Sequence, residues 1–130
     1  MKLVKVSNKA PVKIKEPPKF YQYRQNNSGG KFRGPAINVI VEAHSSEDAN
    51  MRAEQFGLYF SGCDTGQDCD CCGNRWSDSA YNDCKDEPCI YDTPIAQFEV
   101  DAYLTKRKEK IPFAIVLFLD GSTDTYTAEE

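Results

Sequence analysis

Histidine is nearly absent from this sequence, and the shortage limits the catalytic chemistry open to the chain. Among 130 residues there is one histidine, His44. General-base catalysis or a cysteine–histidine nucleophilic pair would have to use His44 or a carboxylate. We expect His44 to make a local hydrogen bond at the entry of a helix, and Asp68 and Asp70 to be solvated loop residues or weak cation ligands. The sequence therefore predicts no catalytic residue.

Long apolar runs are also absent. The longest, residues 113–119, has the length of one buried strand, whereas a membrane-spanning helix needs about 20 apolar residues. The lysine-rich start of the chain lacks the apolar segment of a secretory signal. We expect a protein that makes no membrane contact and stays in the cytosol.

An excess of positive charge is missing as well. The net charge is -4 and the pI is about 5.1, whereas binding to many phosphates needs a clearly basic surface. Lysines are concentrated in residues 1–19 and acidic residues in 64–87. The lysines and prolines of 1–19 predict an extended basic segment. The size and composition of 20–130 predict a single domain with one core.

The apolar pattern that is present predicts an α+β fold with a mostly antiparallel sheet. Residues 20–24 and 36–43 have strand character and are joined through a turn signal at 26–30. Ser45 or Ser46 can cap one main helix over about 46–56, and Gly57 can end it.

Further strands are predicted in the second half of the chain. Strict alternation of apolar and polar residues over 98–104 is typical of a half-exposed strand. Residues 111–119 and 122–127 form a hairpin through the turn signal Asp120-Gly121. Residues 58–60 are expected to return to the sheet briefly.

Residues 61–92 show neither helical nor strand periodicity and predict a long Cys-rich loop. Such a loop is unusual inside a compact domain unless something other than a core holds it. Cys69, Cys72 and Gly73 form a C-x-x-C-G knuckle, a turn that aims two thiolates at one zinc ion. The candidate zinc ligands are Cys69, Cys72, Cys84 and Cys89, with Cys63 and Cys71 as alternates.

The cysteines also admit two other arrangements. They can remain reduced without metal, or they can form one or more disulfides if the compartment is oxidising. A zinc ion bound by four thiolates would be structural, since no coordination position is left for water.

Aromatic and polar residues beside the first strand and the knuckle are candidates for ligand binding. Aromatic rings next to amide and guanidinium groups can stack on a base and hydrogen-bond to it. Alternatively these rings belong to the core, and Trp76 covers the knuckle. The candidate binding residues are Tyr21, Tyr23, Arg24, Asn26, Asn27, Arg75 and Trp76.

Three stretches of the chain resemble a group of small proteins encoded by large tailed bacteriophages. They are residues 23–30, residues 41–60 with their Val-Glu-Ala and Gly-Leu-Tyr-Phe ends, and residues 68–76, which contain a Cys-Cys-Gly-x-Arg-Trp element. The resemblance implies a phage origin and expression in the bacterial cytoplasm, and it implies no particular activity.

These observations predict a non-enzymatic phage accessory protein that binds a host or defence protein. The acidic loop would suit a basic protein surface. A nucleotide or single-stranded nucleic-acid binder that acts as a signal sponge is the first alternative, and a virion-associated structural protein is the second.

Overall fold

The computed structural model describes residues 18–26, 32–68, 70–71, 73–78, 83–84, 87–100 and 111–127. Most of the predicted basic segment 1–19 therefore lies outside the described residues. Within the described ranges the chain has a mixed α/β fold with one main sheet and one main helix. Its elements are β1 (Lys19–Arg24), β2 (Asn38–Ala43), α1 (Ser46–Phe56), α2 (Gly62–Thr65), β3 (Asp83–Cys84), β4 (Cys89–Ile90), β5 (Thr93–Pro94), a 3-10 turn (Ile95–Gln97), β6 (Ala114–Leu117) and β7 (Thr123–Tyr126).

The main sheet has the strand order β3-β1-β2-β6-β7. It consists of four strands of four to six residues, with the two-residue β3 added outside β1. The predicted hairpins β1–β2 and β6–β7 are confirmed as antiparallel pairs. The pair β2–β6 is parallel, with Val39 opposite Ile115. Parallel neighbours need a long crossover connection, and residues 44–113 provide it.

Strand β2 lies in the middle of the sheet and is buried on both faces, as its nearly continuous apolar sequence predicts. On one face Val39, Val41 and Ala43 pack with Ala49 and Ala53 of α1. On the other face Ile40 packs against a second apolar cluster, which includes Ile90 of β4 and Phe113. The structure thus has a helix on one face of the sheet and the β4–β5 hairpin on the other.

The main helix has the bounds that the sequence predicts. Ser45 is the N-cap, and its Oγ accepts a hydrogen bond of 3.0 Å from the Asp48 backbone N–H. Gly57 ends the helix in the left-handed conformation, with φ +119°. His44 lies at the helix entry, where its backbone N–H donates to Asp48 Oδ2 over 3.3 Å. This is the local hydrogen bond that we expected there.

Residues 58–60 do not return to the sheet, so that prediction is wrong. The backbone N–H of Leu58 donates to the Ala53 carbonyl over 3.0 Å, and that of Gly57 donates to Glu54 over 3.1 Å. These two bonds form a Schellman motif, and the Leu58 N–H is thereby used at the helix end and not in a strand. The buried Leu58 side chain then packs in the α1-side cluster.

Two other predictions need correction. Residues 61–92 are not a loop without regular structure, because α2, β3 and β4 lie within them. Residues 98–100 are irregular and follow the 3-10 turn, and 101–104 lie outside the described residues. The predicted alternation is nevertheless present in the burial, since Phe98 and Val100 are half-buried and Glu99 is exposed. Phe98 stacks on Phe113 with ring centroids 5.8 Å apart.

No helix among the described residues is both long enough and apolar enough to cross a bilayer.

Candidate functional site

A buried ion pair anchors the middle of the chain. The Asp68 carboxylate and the Arg75 guanidinium approach to 3.5 Å, and their side chains are 0% and 2% exposed. The backbone N–H of Arg75 also donates to Asp68 Oδ2 over 2.7 Å. Buried charges are costly unless they are paired and hydrogen-bonded. These contacts meet that requirement for Asp68.

Further polar groups extend this pair into a network. The Tyr59 hydroxyl donates to Asp68 Oδ1 over 2.9 Å and accepts from Arg75 Nε over 3.2 Å. Arg75 Nη1 donates to Gln25 Oε1 over 3.0 Å and to the Asn26 carbonyl over 3.4 Å. Burial raises the pKa of the Tyr59 hydroxyl, and its hydrogen bond to Asp68 adds to the rise. The network therefore links residues 59–75 to the end of β1.

Backbone contacts reinforce the same link. The Asn26 N–H donates to the Arg75 carbonyl over 2.8 Å, and the Asn26 amide donates to the Asn74 carbonyl over 3.4 Å. The Asn74 side chain in turn accepts from the Cys63 N–H over 2.9 Å. Gly73 has φ +91°, a left-handed conformation that glycine adopts without strain, so it suits this turn beside Asn26.

Trp76 is the apolar part of the anchor. Its ring is 1% exposed and belongs to the α1-side cluster. Gly34 lies against the ring, so that a Cβ at Gly34 would be 3.5 Å from Trp76 Cζ2. The described part of 61–78 is thus held by an ion pair and a buried indole.

A small polar pocket of about 250 Å³ opens where β1 ends against this network. It is lined by Arg24, Asn26, Asn74, Arg75 and Ser77. Three of these residues, Arg24, Asn26 and Arg75, are among the binding residues that the sequence predicts. None of these five described lining residues bears a carboxylate.

Comparison with known proteins decides the family of the chain. The profile of DUF7296, a domain of unknown function, matches residues 18–130. The chain belongs to the DUF7296 family. No curated protein and no solved structure matches it.

The cysteines of this DUF7296 protein are in different states. Cys89, in β4, is buried and disulfide-bonded. Cys63, in α2, is half-buried and Cys71 is exposed, and both are in the thiol form. Cys69, Cys72 and the side chain of Cys84 lie outside the described residues. Among the residues that the structure does describe, no three His, Cys, Asp or Glu side chains are placed to hold a metal ion.

The Cys89 disulfide bears on the zinc prediction. A disulfide sulfur carries no thiolate charge, and the thiolate is the form that binds zinc. The predicted site of Cys69, Cys72, Cys84 and Cys89 therefore requires the reduced chain. It stays a prediction.

The aromatic candidates of the DUF7296 chain lie in the core. Tyr21, Tyr23 and Trp76 are 8%, 1% and 1% exposed. The Tyr23 hydroxyl donates to Asn50 Oδ1 over 2.5 Å. Their rings are enclosed, so a base could stack on them only if the core opened. Arg24 is exposed, and Asn27 lies outside the described residues.

Sequence reasoning missed the partners of Arg75. We expected Asp68 to be solvated, and it is buried. The sequence predicts Tyr59 in a strand, and it indicates no role for Gln25. A signal was present: Arg75 adjoins the single tryptophan, and a cation beside a residue that is usually buried needs an anion near it.

Proposed function

We propose that this protein is a non-enzymatic phage accessory protein that binds a basic surface on a host or defence protein. The observation that carries the proposal is the charge distribution of residues 61–92. Within their described part, carboxylates are exposed at the positions Asp64, Asp70, Asp78, Glu87 and Asp92. Arg75, the basic side chain described there, is buried and paired with Asp68.

Electrostatic complementarity makes such a surface suited to a basic partner. Charged groups across an interface accelerate encounter and reject partners of like charge. Asp64, Asp70 and Asp78 lie in the part of the chain that the Asp68–Arg75 pair and Trp76 hold in place. A fixed surface loses little conformational freedom on binding, which favours affinity.

The polar groups that the structure brings together support binding rather than catalysis. Asp68, Arg75, Tyr59 and Gln25 satisfy one another inside the protein. They stabilise the segment that presents the acidic surface. The function proposed for the network is therefore structural, and the function proposed for the surface is recognition.

The test is capture from a host lysate, followed by measurement with the purified partner. The chain should retain one stoichiometric protein partner. The triple variant Asp64→Asn, Asp70→Asn, Asp78→Asn should weaken its binding about tenfold or more at low salt, mainly through a slower association rate. Isothermal titration calorimetry and surface plasmon resonance at two salt concentrations measure both effects.

A matched control removes the same charge from other places. Glu54, Glu99 and Asp124 are exposed and lie outside residues 61–92. Neutralising these three together should change the affinity less than twofold. Equal weakening by the two triple variants, or a lysate that yields no stoichiometric protein, would refute the proposed surface.

A further inference from the structure

We propose that the pocket at the end of β1 binds a phosphate group of a small phosphorylated ligand, and that Arg24 supplies the charge that recognises it. This site is separate from the protein-binding function proposed above. The pocket is lined by Arg24, Asn26, Asn74, Arg75 and Ser77, whose side chains all carry hydrogen-bond donors.

Arg24 is the accessible cation of the pocket. It is the last residue of β1 and its side chain is exposed. Within the described ranges its guanidinium forms no ion pair or side-chain hydrogen bond. A planar guanidinium with paired N–H donors matches the oxygens of a phosphate group. Arg75 is paired with Asp68, so it contributes less net charge.

The walls of the pocket are preformed. The Asn26 N–H donates a hydrogen bond of 2.8 Å to the Arg75 carbonyl, and this bond joins the two chain segments that line the pocket. The Arg75 guanidinium also donates to the Asn26 carbonyl over 3.4 Å. These two bonds hold the segments that line the pocket, so less ordering is needed when a ligand binds.

The volume of the pocket and the residues around it indicate which class of ligand it can bind. Pockets for drug-sized ligands have volumes of about 300–1,000 Å³, so a pocket of 250 Å³ suits a small group. The enclosed rings of Tyr21, Tyr23 and Trp76 offer no platform for a base. Recognition would thus depend on the phosphate and not on the nucleobase.

Inorganic phosphate, AMP and adenosine, titrated at constant ionic strength, are the probes for this site. Trp76 fluorescence is a local reporter, because Trp76 lies in the chain between Arg75 and Ser77. Phosphate and AMP should give saturable changes, and amide NMR shifts should be largest at Asn26, Asn74 and Ser77. Adenosine should give none. If AMP binds more tightly than phosphate, the ligand is a phosphate ester; if both bind equally, free phosphate suffices.

Three arginine variants distinguish a built site from general charge attraction. Arg24→Gln should weaken phosphate binding about tenfold, and Arg24→Lys should weaken it less, because it keeps the charge but loses the paired donors. Arg33→Gln removes an exposed arginine that does not line the pocket and should leave binding unchanged. Equal losses in Arg24→Gln and Arg33→Gln, a response to adenosine equal to that for AMP, or no saturable response to phosphate or AMP would overturn the proposal.

Discussion

Among the glycines that the structure describes, Gly62 has the least room for a side chain. A Cβ built there would lie 1.9 Å from Asp68 Oδ2 and 2.8 Å from the Tyr59 ring. Gly62→Ala must therefore displace the Asp68 carboxylate from Arg75, and we expect it to lower the free energy of unfolding by about 3 kcal/mol. Urea unfolding followed by Trp76 fluorescence measures the loss.

Gly66→Ala is the control for that substitution. Gly66 has φ +84° but no atom within 4 Å of an added Cβ. It tests backbone strain alone, which costs about 1–2 kcal/mol. If Gly62→Ala proves no more destabilising than Gly66→Ala, the close packing around Asp68 is not as described.

The buried hydroxyl of Tyr23 makes the free energy of unfolding depend on pH in the alkaline range. Burial is the main cause that raises the pKa of its hydroxyl above the ordinary value of 10.0, and the charges of Tyr21 and Asp78 add to it. Above pH 10 the unfolded chain therefore loses this proton while the folded chain keeps it. The contribution is complete below pH 10, and the free energy of unfolding should fall as the pH rises further.

Tyr23→Phe should flatten that fall between pH 10 and 11.5, although it loses about 1 kcal/mol at neutral pH with the hydrogen bond to Asn50. Urea unfolding at a series of pH values measures the slope. Tyr126→Phe, on β7, is the matched control. An unchanged slope in Tyr23→Phe would contradict the assignment.

At the scale of elements, the Asp68–Arg75 pair and Trp76 hold the Cys-rich segment. Asp68→Ala should destabilise the protein by about 3–5 kcal/mol, because it leaves the Arg75 charge buried without its partner. Arg75→Ala should cost a similar amount, and the double variant should cost clearly less than the sum of the two. A double-mutant cycle by urea unfolding measures this coupling.

The surface pair Arg52–Asp48 is the control for the cycle. It spans one helical turn at 3.1 Å, with side chains 28% and 22% exposed. Its coupling should be about 0.3–0.5 kcal/mol. If the Asp68–Arg75 cycle gave a coupling no larger than this, the pair would not be the anchor of the segment.

Local signals explain which elements could be predicted. Helix α1 begins after the N-cap Ser45 and ends at Gly57, and both signals are local in the sequence. The four strands β1, β2, β6 and β7 likewise have turn signals or apolar patterns that extend over only a few residues. The contacts of 61–78 depend on partners that are distant in sequence, such as Gln25 with Arg75. The parallel β2–β6 pair also has no local signal. The candidate site could thus be predicted only in part, through Arg24, Asn26 and Arg75.

At the scale of the whole molecule, the oxidation state of the cysteines should control metal content. Cys89 is disulfide-bonded, so the chain in this form lacks the Cys89 thiolate that the predicted zinc site requires. We expect chain purified under reducing conditions, without a histidine tag, to carry about one zinc ion, and air-oxidised chain to carry none. Elemental analysis with thiol titration before and after chelation measures both.

Cysteine substitutions sharpen this prediction. Cys89→Ser should abolish zinc binding by the reduced chain, and Cys71→Ser, which changes an exposed thiol, should leave it intact. If elemental analysis finds no zinc in the reduced chain, the metal prediction is wrong. Loss of zinc in Cys71→Ser but not in Cys89→Ser would show that the alternate ligand is used.

The parallel pairing of β2 with β6 has a consequence for how the protein folds. Asn38 lies beside Ala114 in the sheet, so the central ladder joins positions from the two halves of the chain. Closing so long a loop is entropically costly and slow. During synthesis on the ribosome, the β1–β2 hairpin and α1 emerge well before their central neighbour. Their apolar faces stay uncovered until residues 114–117 arrive, and in that interval the nascent chain is most exposed to aggregation.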